Sequence, residues 1–353
     1  MSAVLSEPIP GPVLVIGCGL IGTSVALALR ERGVEVHLRD TSATHVELAV
    51  SVGAGTADPV DEPALVVVAV PPAAVVEIAA AALAEFPAAV VTDVASVKGA
   101  ICAALPDPRF VGGHPMAGKE RSGPVAASGL LFEGRAWAIV PSESTDPAAI
   151  ALVESVATAV GAVPRRFGAA DHDRAVALVS HVPHLVSVLT AGLLTDARGD
   201  DLALAGQGLR DVIRIAGSDR GLWVDIIDSN ADQVGGILDE LRARLDDLSA
   251  AVRAGDGSIA AHLDRGRAGV RRVPGKHGES PTAVASVFVS IDDTPGELSR
   301  LFADVGAAGI NIEDMRIDHE LGRPVGVVEV LVRADSAAPL HDALEDRGWA
   351  AFR

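Results

Sequence analysis

The chain has 353 residues, of which 49% are hydrophobic. That length and apolar content can bury large cores and favour two or three domains over one. Lys and Arg number 29 against 47 Asp and Glu, so the formal net charge is −18. Because so acidic a surface repels phosphate backbones and anionic lipid heads, nucleic acid is excluded as an expected partner.

The sequence predicts a cytoplasmic protein that does not span a membrane. Residues 1–12 have neither the basic segment nor the long apolar segment of a signal peptide. Gly, Pro or a charged residue interrupts each apolar run before about 18 residues, the length that a membrane span needs. Cys18 and Cys102 form neither a disulfide framework nor a metal-ligand spacing, so we expect a reducing compartment and no metal.

Residues 1–168 are predicted to form a Rossmann-type, doubly wound α/β domain. Short β-branched runs alternate with Ala-rich and Leu-rich stretches, and such alternation indicates a parallel sheet covered on both faces. The predicted pairs of strand and helix are Val13 to Ile16 and Leu20 to Arg32, Val34 to Leu38 and Thr44 to Val52, Leu65 to Val70 and Ala73 to Glu85, and Ala89 to Asp93 and Val97 to Leu105. A strand at 136–140, a helix near 147–160 and a strand near 163–167 complete the domain.

Residues 169–272 are predicted to form an all-helical second domain. Its expected helices are Asp173 to Leu194, Leu202 to Ile215, Leu222 to Ser229 and Ala231 to Arg253. Their apolar stripes must be buried against the first domain or against a second copy of the chain, so we expect a homodimer.

A polar, Pro-rich and Gly-rich stretch at 273–282 is predicted to be a linker. Residues 283–353 then follow the order βαββαβ, which is typical of a ferredoxin-like sheet backed by two helices. The sequence therefore predicts a third, smaller domain.

A glycine-rich loop follows the first strand and opens the first helix, and this context is typical of a dinucleotide site. Gly17 suits the tight turn, Gly19 lets the backbone approach a pyrophosphate, and Gly22 lets helix and strand pack closely. The free N–H groups and the dipole at the start of the helix favour binding of the negatively charged pyrophosphate. The predicted cofactor residues here are Gly17, Cys18, Gly19, Leu20, Ile21 and Gly22.

Asp40 ends the second strand and is predicted to bind the ribose hydroxyls of NAD, because its carboxylate repels the 2′-phosphate of NADP. Arg39 beside it leaves dual use open, and a surface Asp in a turn is the alternative reading. Val70 and Pro71 place rigid backbone where the nicotinamide half lies in such sheets.

Two segments contain candidate catalytic residues at the carboxyl ends of strands, where ligands bind in open α/β sheets. Ser96 begins a helix after a strand, either as a simple N-cap or as a substrate contact. His114 lies between glycines and a proline on what we predict to be a tightly turned loop. Its imidazole suits a general base that takes an alcohol proton during hydride loss.

Four motifs together resemble the prephenate and arogenate dehydrogenase family. They occur in the family's order and cover residues 13–250. The motifs are Ser96-Val97-Lys98, Gly113-His114-Pro115-Met116-Ala117-Gly118 through Glu120, Ser180-His181-Val182-Pro183-His184, and Arg210 to Ala216 with Trp223. Gln207 departs from the family, which tends to have a glycine there, and this puts the local loop geometry in doubt.

The resemblance implies an NAD-dependent oxidative decarboxylation of prephenate, giving 4-hydroxyphenylpyruvate on the way to tyrosine. It implies that His114 takes the hydroxyl proton while Ser96 orients the reacting groups. The same chemistry on arogenate, which has an amino side chain in place of the keto side chain, stays open.

Because the substrate is a dianion, cations must meet in the cleft. Arg214 is the candidate carboxylate clamp, and His181 could assist it. Trp223 could wall the pocket and Glu120 could gate it or set its charge. The alternatives are a helix salt bridge for Arg214, a helix-breaking turn for His181 and a core position for Trp223.

The last domain resembles an ACT domain, carried by Asp293-Thr294-Pro295-Gly296-Glu297-Leu298 and by Gly309 to Met315. The resemblance implies feedback by an amino acid, with tyrosine expected. A dimerisation module without a ligand is the alternative.

Two other functions remain open from the sequence. One is another nicotinamide dehydrogenase with a helical second domain, of the β-hydroxyacid or imine reductase type. These enzymes need a catalytic Lys or Asp on the long helix, which the segment from His181 to His184 does not supply. The other is a non-catalytic sensor in which NAD and an amino acid control association.

Overall fold

The computed structural model describes residues 9–119, 121, 123–273, 284–319 and 325–353. These form two compact units, Met1–Asp246 and Asp247–Arg353. The predicted linker at 273–282 lies outside the described residues except for Val273, and the candidate residue Glu120 also lies outside them. The domain bounds expected from the sequence stay a prediction.

The first unit contains a seven-stranded sheet in the order β2-β1-β3-β4-β5-β6-β7. Its strands are β1 (Val13–Ile16), β2 (Val36–Arg39), β3 (Leu65–Val68), β4 (Val90–Asp93), β5 (Phe110–Pro115), β6 (Ala136–Val140) and β7 (Val163–Arg166). The first five are parallel, whereas β6 runs antiparallel to β5 and β7 runs parallel to β6.

Helices cover both faces of this sheet, which explains why β1 and β3 are apolar at every position and fully buried. The helices are α1 (Leu20–Glu31), α2 (Ala43–Ser51), α3 (Pro72–Glu85), α4 (Gly99–Ala104) and α5 (Pro147–Ala159). Side chains of α1 and α5 belong to one apolar cluster and side chains of α3 to another. The Rossmann-like α/β architecture predicted from the sequence is confirmed.

Three local expectations in this sheet are wrong. The sheet is not wholly parallel, because the described residues of the long loop between β5 and β6 form one short 3-10 turn and no crossover helix. His114 lies within strand β5, opposite Ala138 of β6, and not on a tightly turned loop. Ser96 does not begin a helix, since α4 starts at Gly99 with Lys98 as its N-cap residue.

The chain continues as a helical segment, again as predicted. Its helices are α6 (Ala169–Val176), α7 (Val182–Gly192), α8 (Gly199–Leu202), α9 (Gln207–Ile213), α10 (Arg220–Ser229) and α11 (Ala231–Ala254). The single helix expected over 202–215 is wrong, because α8 and α9 are separate and Gly206 is the N-cap of α9.

A proline inside the long helical stretch does not end it. The turn Ala177–His181 is a π-helix, and the Val182 N–H bonds to the Ala177 carbonyl. This wider turn joins α6 to α7, where Pro183 occupies the first turn, a position at which its missing N–H costs little. The helix-breaking turn that was an alternative for His181 is therefore wrong.

The same stretch is long and apolar. By length and composition alone, the 28 residues of Ala169–Asp196 could cross a membrane. Of its most apolar part, 33% is buried within the chain. Core helices of soluble domains can have such length and composition too. The expectation that every apolar run is interrupted too early is wrong here, because Pro183 does not end the helix. Five large apolar side chains of this stretch are exposed: Leu178, Val179, Val188, Leu189 and Leu193.

The second unit begins within α11 and has a four-stranded antiparallel sheet in the order β11-β8-β10-β9. Its elements are α12 (Ile259–Val270), β8 (Val284–Asp292), α13 (Glu297–Ala307), β9 (Asp314–His319), β10 (Val325–Arg333), α14 (Ala337–Glu345) and β11 (Ala350–Phe352). From β8 onward the order is βαββαβ, and residues of both α13 and α14 belong to the core with the sheet. Helix α12 was not predicted.

Glycine spacing around α1 gives a stability test. A Cβ on Gly22 would overlap the carbonyl oxygen of Gly17 and lie 2.8 Å from the Ala69 Cβ, whereas a Cβ on Gly19 meets nothing within 4 Å. We expect Gly22→Ser to lower the free energy of unfolding by about 1–3 kcal/mol through overpacking. Gly19→Ser, at the N-cap of α1, should cost much less, because Ser is a favoured N-cap residue. Equal losses in urea unfolding of the two variants would contradict this explanation.

Candidate functional site

The glycine loop between β1 and α1 has the form that a pyrophosphate site needs. Gly17 has φ +105°, a left-handed conformation, and a Cβ there would overlap the Ala69 carbonyl. Gly19 borders open space on the side where a Cβ would be, so its backbone can be approached closely. The loop is therefore bare where a ligand would lie and tightly packed where the fold requires it.

Asp40 is held rigidly beside this loop. Its Oδ2 accepts a hydrogen bond from the Cys18 N–H at 2.6 Å, and its Oδ1 accepts one from the Ser42 N–H at 2.8 Å. Burial, with a smaller effect of the Asp40 charge, raises the pKa of the Cys18 thiol to about 12. Cys18 is therefore an unreactive thiol whose backbone matters.

Arg39 is turned into an ion pair with Glu85 at the end of α3. Its two terminal nitrogens donate to the two carboxylate oxygens of Glu85 at 2.8 and 2.9 Å. Hydrogen bonding to Arg39 lowers the pKa of Glu85. Val70 and Pro71 follow β3, and Pro71 is the N-cap residue of α3.

His114 on β5 makes a ring-to-ring hydrogen bond with a histidine of α6. The Nδ1 of His114 and the Nε2 of His172 are 2.9 Å apart, and the Nδ1 of His172 lies 2.8 Å from Oδ1 of Asp173. An ionised Asp173 can only accept a hydrogen bond, so the Nδ1 of His172 carries the proton and donates it in that bond. The Nε2 of a neutral His172 is then unprotonated and accepts a hydrogen bond from the Nδ1–H of His114. This assignment leaves the Nε2 of His114 as an unprotonated base.

The surroundings of His114 favour its neutral form. Burial lowers its pKa well below the ordinary value, and the charges of His172, Lys98 and His181 add to that effect. At neutral pH the ring is ready to accept a proton.

Asp173 joins α6 to the start of α4. Its Oδ1 accepts from the Lys98 N–H at 2.8 Å and its Oδ2 from the Gly99 N–H at 2.7 Å. Burial alone would raise its pKa, but the hydrogen bonds from His172 and from these two N–H groups lower it. Asp173 is thus an anion that caps α4 from the helical segment and orients His172.

Asp93 and Lys98 form a buried ion pair at the end of β4. The Lys98 Nζ contacts Asp93 Oδ2, and both side chains are 0% exposed. Asp93 also accepts hydrogen bonds from the Ala95 N–H at 2.9 Å and from the Gly113 N–H at 3.1 Å. Lys98 is therefore paired inside the fold and does not face solvent.

His181 is buried in the π-helical turn, and burial lowers its pKa to about 4. The amide nitrogen of Asn230 lies 3.2 Å from its Nδ1 and donates to the Asp173 carbonyl at 2.9 Å. If Asn230 donates to Nδ1, the Nε2 of a neutral His181 carries the proton. His181 can then donate a hydrogen bond without bringing a charge.

Trp223 on α10 packs against His184 of α7 and His181 of the π turn. Its ring stacks on His184 with centroids 3.5 Å apart and lies edge-on to His181 at 6.1 Å. The Nδ1 of His184 is buried and has no hydrogen-bond partner within the described part of the chain. Trp223 is half-buried and borders the His181 side of the site.

The other candidates are placed less closely. Ser96 is half-buried in the loop between β4 and α4, and Arg214 is exposed at the start of the 3-10 turn that follows α9. Glu120 lies outside the described residues.

Sequence reasoning missed His172 and Asp173, which contact His114 or its neighbours directly. One indication was available, because they stand at inward positions of an otherwise apolar helix face, where charged residues are rare. It did not show that they meet residues some 75 positions earlier in the chain, such as Lys98.

Comparison with known proteins identifies the family of the seven-stranded sheet domain and of the helical segment. A sequence model described as the nucleotide-binding domain of prephenate dehydrogenase matches residues 25–165. A second, described as the dimerization domain of prephenate dehydrogenase, matches residues 168–263.

Individual relatives agree. The probable prephenate dehydrogenase NovF of Streptomyces niveus is 39% identical over 96% of this chain and 98% of its own. The cyclohexadienyl dehydrogenase of Zymomonas mobilis is 32% identical over 69% of this chain and 89% of its own. A crystal structure of the Aquifex aeolicus prephenate dehydrogenase with hydroxyphenyl propionate and NAD+ is similar with a TM-score of 0.67 and 30% identity, covering 73% of this chain and 96% of that one. The chain belongs to the prephenate dehydrogenase family.

Proposed function

We propose that this protein is an NAD-dependent prephenate dehydrogenase, which oxidises prephenate and removes one carboxylate to give 4-hydroxyphenylpyruvate. The single observation that carries the proposal is the chain of hydrogen bonds from His114 through His172 to Asp173, which presents a neutral imidazole base in a member of this family. The alternative substrate is arogenate, and the Synechocystis arogenate dehydrogenase structure is also similar, with a TM-score of 0.65 and 28% identity.

The residues of the glycine loop, Asp40, Val70 and Pro71 would hold the cofactor. The open side of Gly19 and the fixed Asp40 carboxylate fit a dinucleotide. Asp40 favours NAD over NADP by charge, and the pairing of Arg39 with Glu85 turns the neighbouring cation toward α3. NAD, when bound, supplies the acceptor for the hydride that leaves C4 of the substrate.

His114 performs the proton transfer. Its Nε2 accepts the proton of the C4 hydroxyl as the hydride leaves C4, and His172 holds the ring in the required tautomer. Ser96 orients the hydroxyl or the imidazole. Loss of the C1 carboxylate as CO2 leaves its bonding electrons in the ring, which becomes aromatic, and this supplies the driving force.

Arg214 binds a substrate carboxylate, since a guanidinium group forms paired hydrogen bonds with such groups. His181 donates a hydrogen bond to the substrate, Trp223 borders the pocket and keeps water out, and Glu120 gates the pocket or sets its charge. The prediction that Trp223 is only a core residue has less support, because its ring lies against two site histidines.

We also propose a cytoplasmic homodimer. The exposed apolar side chains of the helical segment need a cover, and the matching family model is described as a dimerization domain. The two cysteines are free, and such sparing use of cysteine is typical of a reducing compartment.

The βαββαβ part of the second unit is proposed to be an ACT domain that binds tyrosine as a feedback inhibitor. Its element order and the left-handed Gly296 directly before α13 are what the resemblance leads us to expect. A dimerisation module without a ligand is the alternative.

NADH formation tests the activity. We expect turnover with prephenate and NAD, a lower kcat/KM with NADP, and little turnover with arogenate. Absorbance of NADH or NADPH measures all four combinations of substrate and cofactor. A higher kcat/KM for arogenate than for prephenate would favour the alternative substrate. No turnover with either substrate would contradict the proposed dehydrogenase activity.

The same assay with added tyrosine addresses the second unit. Inhibition by tyrosine, and not by an equal concentration of leucine, is the expected result. Turnover insensitive to tyrosine would leave the unit as a dimerisation module.

Substituting the base should abolish catalysis and spare cofactor binding. We expect His114→Asn to lower kcat by about 100-fold to 10,000-fold while the Kd for NAD stays unchanged. For the wild type, kcat/KM should stay constant below the ordinary imidazole pKa and fall only in more acid solution, because the pKa of His114 is lowered. His262→Asn on α12 is the matched control. An unchanged kcat in His114→Asn would favour the non-catalytic sensor.

His172 should matter only through His114. We expect His172→Leu to lower kcat by up to about 100-fold, because the His114 ring loses its orientation. Added to His114→Asn, it should cause little further loss, since both substitutions remove the same proton transfer. Independent, multiplying losses in kcat would assign His172 a separate role.

A further inference from the structure

We propose that Lys98 and Asp93 are positioning residues for His114, because they close a ring of hydrogen bonds that fixes the base and sets the charge around it. The proposal rests on the proposed function, since it concerns the same proton transfer. It assigns a role to two buried residues that the reaction itself does not use.

The ring runs outward from the base through the helical segment. His114 meets His172 at 2.9 Å, His172 meets Asp173 at 2.8 Å, and Asp173 accepts from the backbone N–H of Lys98 at 2.8 Å. The first link joins β5 to α6, the second lies within α6, and the third joins α6 to the start of α4.

The ring returns to the base through the sheet. The Lys98 ammonium binds Asp93 at the end of β4, and Asp93 accepts from the Gly113 N–H at 3.1 Å. Gly113 is the residue directly before His114. Both the ring nitrogen and the backbone of His114 are therefore attached to the same closed network.

The loop that contains Ser96 is held by the same ring. Asp93 and Lys98 stand at its two ends, and Asp93 also accepts from the Ala95 N–H at 2.9 Å. Ser96 therefore lies in a loop whose two ends are joined by the ion pair. The ion pair thus holds both the loop that contains Ser96 and the strand that contains His114.

Folding stability alone does not explain a fully buried ion pair. Both side chains are 0% exposed, and apolar residues of similar volume are often as stable or more stable in such places. The backbone beside Lys98 is also kept bare, because a Cβ on Gly112 would lie 3.2 Å from the Lys98 Cδ and 2.9 Å from the Cys102 sulfur. The fold makes room for this ammonium group.

The charges on the ring decide how easily His114 gains a proton. The groups around it are Lys98 and Asp93 from the β4–α4 region, His172 and Asp173 from α6, and His181 from the π turn. Burial lowers the pKa of His114 most, and the Lys98 charge lowers it further. Without that ammonium group, two buried carboxylates would remain and would favour an imidazolium.

The test is a set of four variants: Lys98→Met, Asp93→Asn, the double variant and Lys98→Arg. We expect Lys98→Met to move the acid limb of the pH profile of kcat/KM upward by about 1 pH unit. The reason is that a positive charge which lowers the pKa of His114 is lost. Asp93→Asn should move it downward, and the double variant should return it toward the wild type. Lys98→Arg should keep the wild-type limb, and KM for NAD should change little throughout.

The control removes an ion pair of the same domain that has no member in the ring. Arg166 and Glu154 pair at the surface, with the guanidinium half of the pair 61% exposed, and Arg166→Met with Glu154→Gln should leave the pH profile unchanged. An acid limb that stays in place in both Lys98→Met and Asp93→Asn would overturn the proposal.

A titration without substrate separates this proposal from the proposed function. The imidazole resonances of His114, assigned by their loss in His114→Asn, report its protonation by NMR in the free protein. Absence of turnover in the wild type would contradict the function alone. Shifts of the His114 titration in the directions expected for Lys98→Met and Asp93→Asn would still support the proposed role of the ring. Absence of these shifts would contradict it. If Lys98→Met does not fold, Asp93→Asn and the double variant decide the outcome.

Discussion

The carboxylate of Asp173 is the constraint on which the rest of the site depends. It accepts three hydrogen bonds, two from the start of α4 and one from His172. A single buried anion thus supplies the cap that α4 lacks in its own sequence and fixes the ring that orients His114. Helical segment and sheet cannot shift relative to each other here without exposing unpaired N–H groups, so the geometry of the base is a property of their packing.

The sheet contributes the second half of that geometry. Because β5 is paired with β4 on one side and with antiparallel β6 on the other, His114 is held by a strand and not by a loop. Gly113 allows the close approach, since a Cβ there would overlap the Asp93 carbonyl oxygen. The two glycines before His114, which in the sequence indicated a turn, serve instead to let a strand lie against the buried ion pair.

Features with local causes could be predicted from the sequence. The glycine loop, Asp40 after β2 and the alternation of strand and helix each depend on residues within about one βαβ unit. The π turn before Pro183, the reversal of β6 and the contacts of Lys98 with Asp173 depend on packing between distant segments, and no spacing in the chain records them. Arg39 shows the same limit, because its partner Glu85 is 46 residues away.

Charge accounts for how an acidic chain with a formal net charge of −18 can hold a dianionic substrate. Lys98 is neutralised by Asp93, and His181, with a pKa of about 4, is uncharged at neutral pH. Of the site residues proposed above, Arg214 is therefore the candidate cation for a substrate carboxylate. Since prephenate and arogenate share the ring and both carboxylates, Arg214 cannot distinguish them. Their discrimination has to come from groups that meet the keto or amino carbon of the side chain.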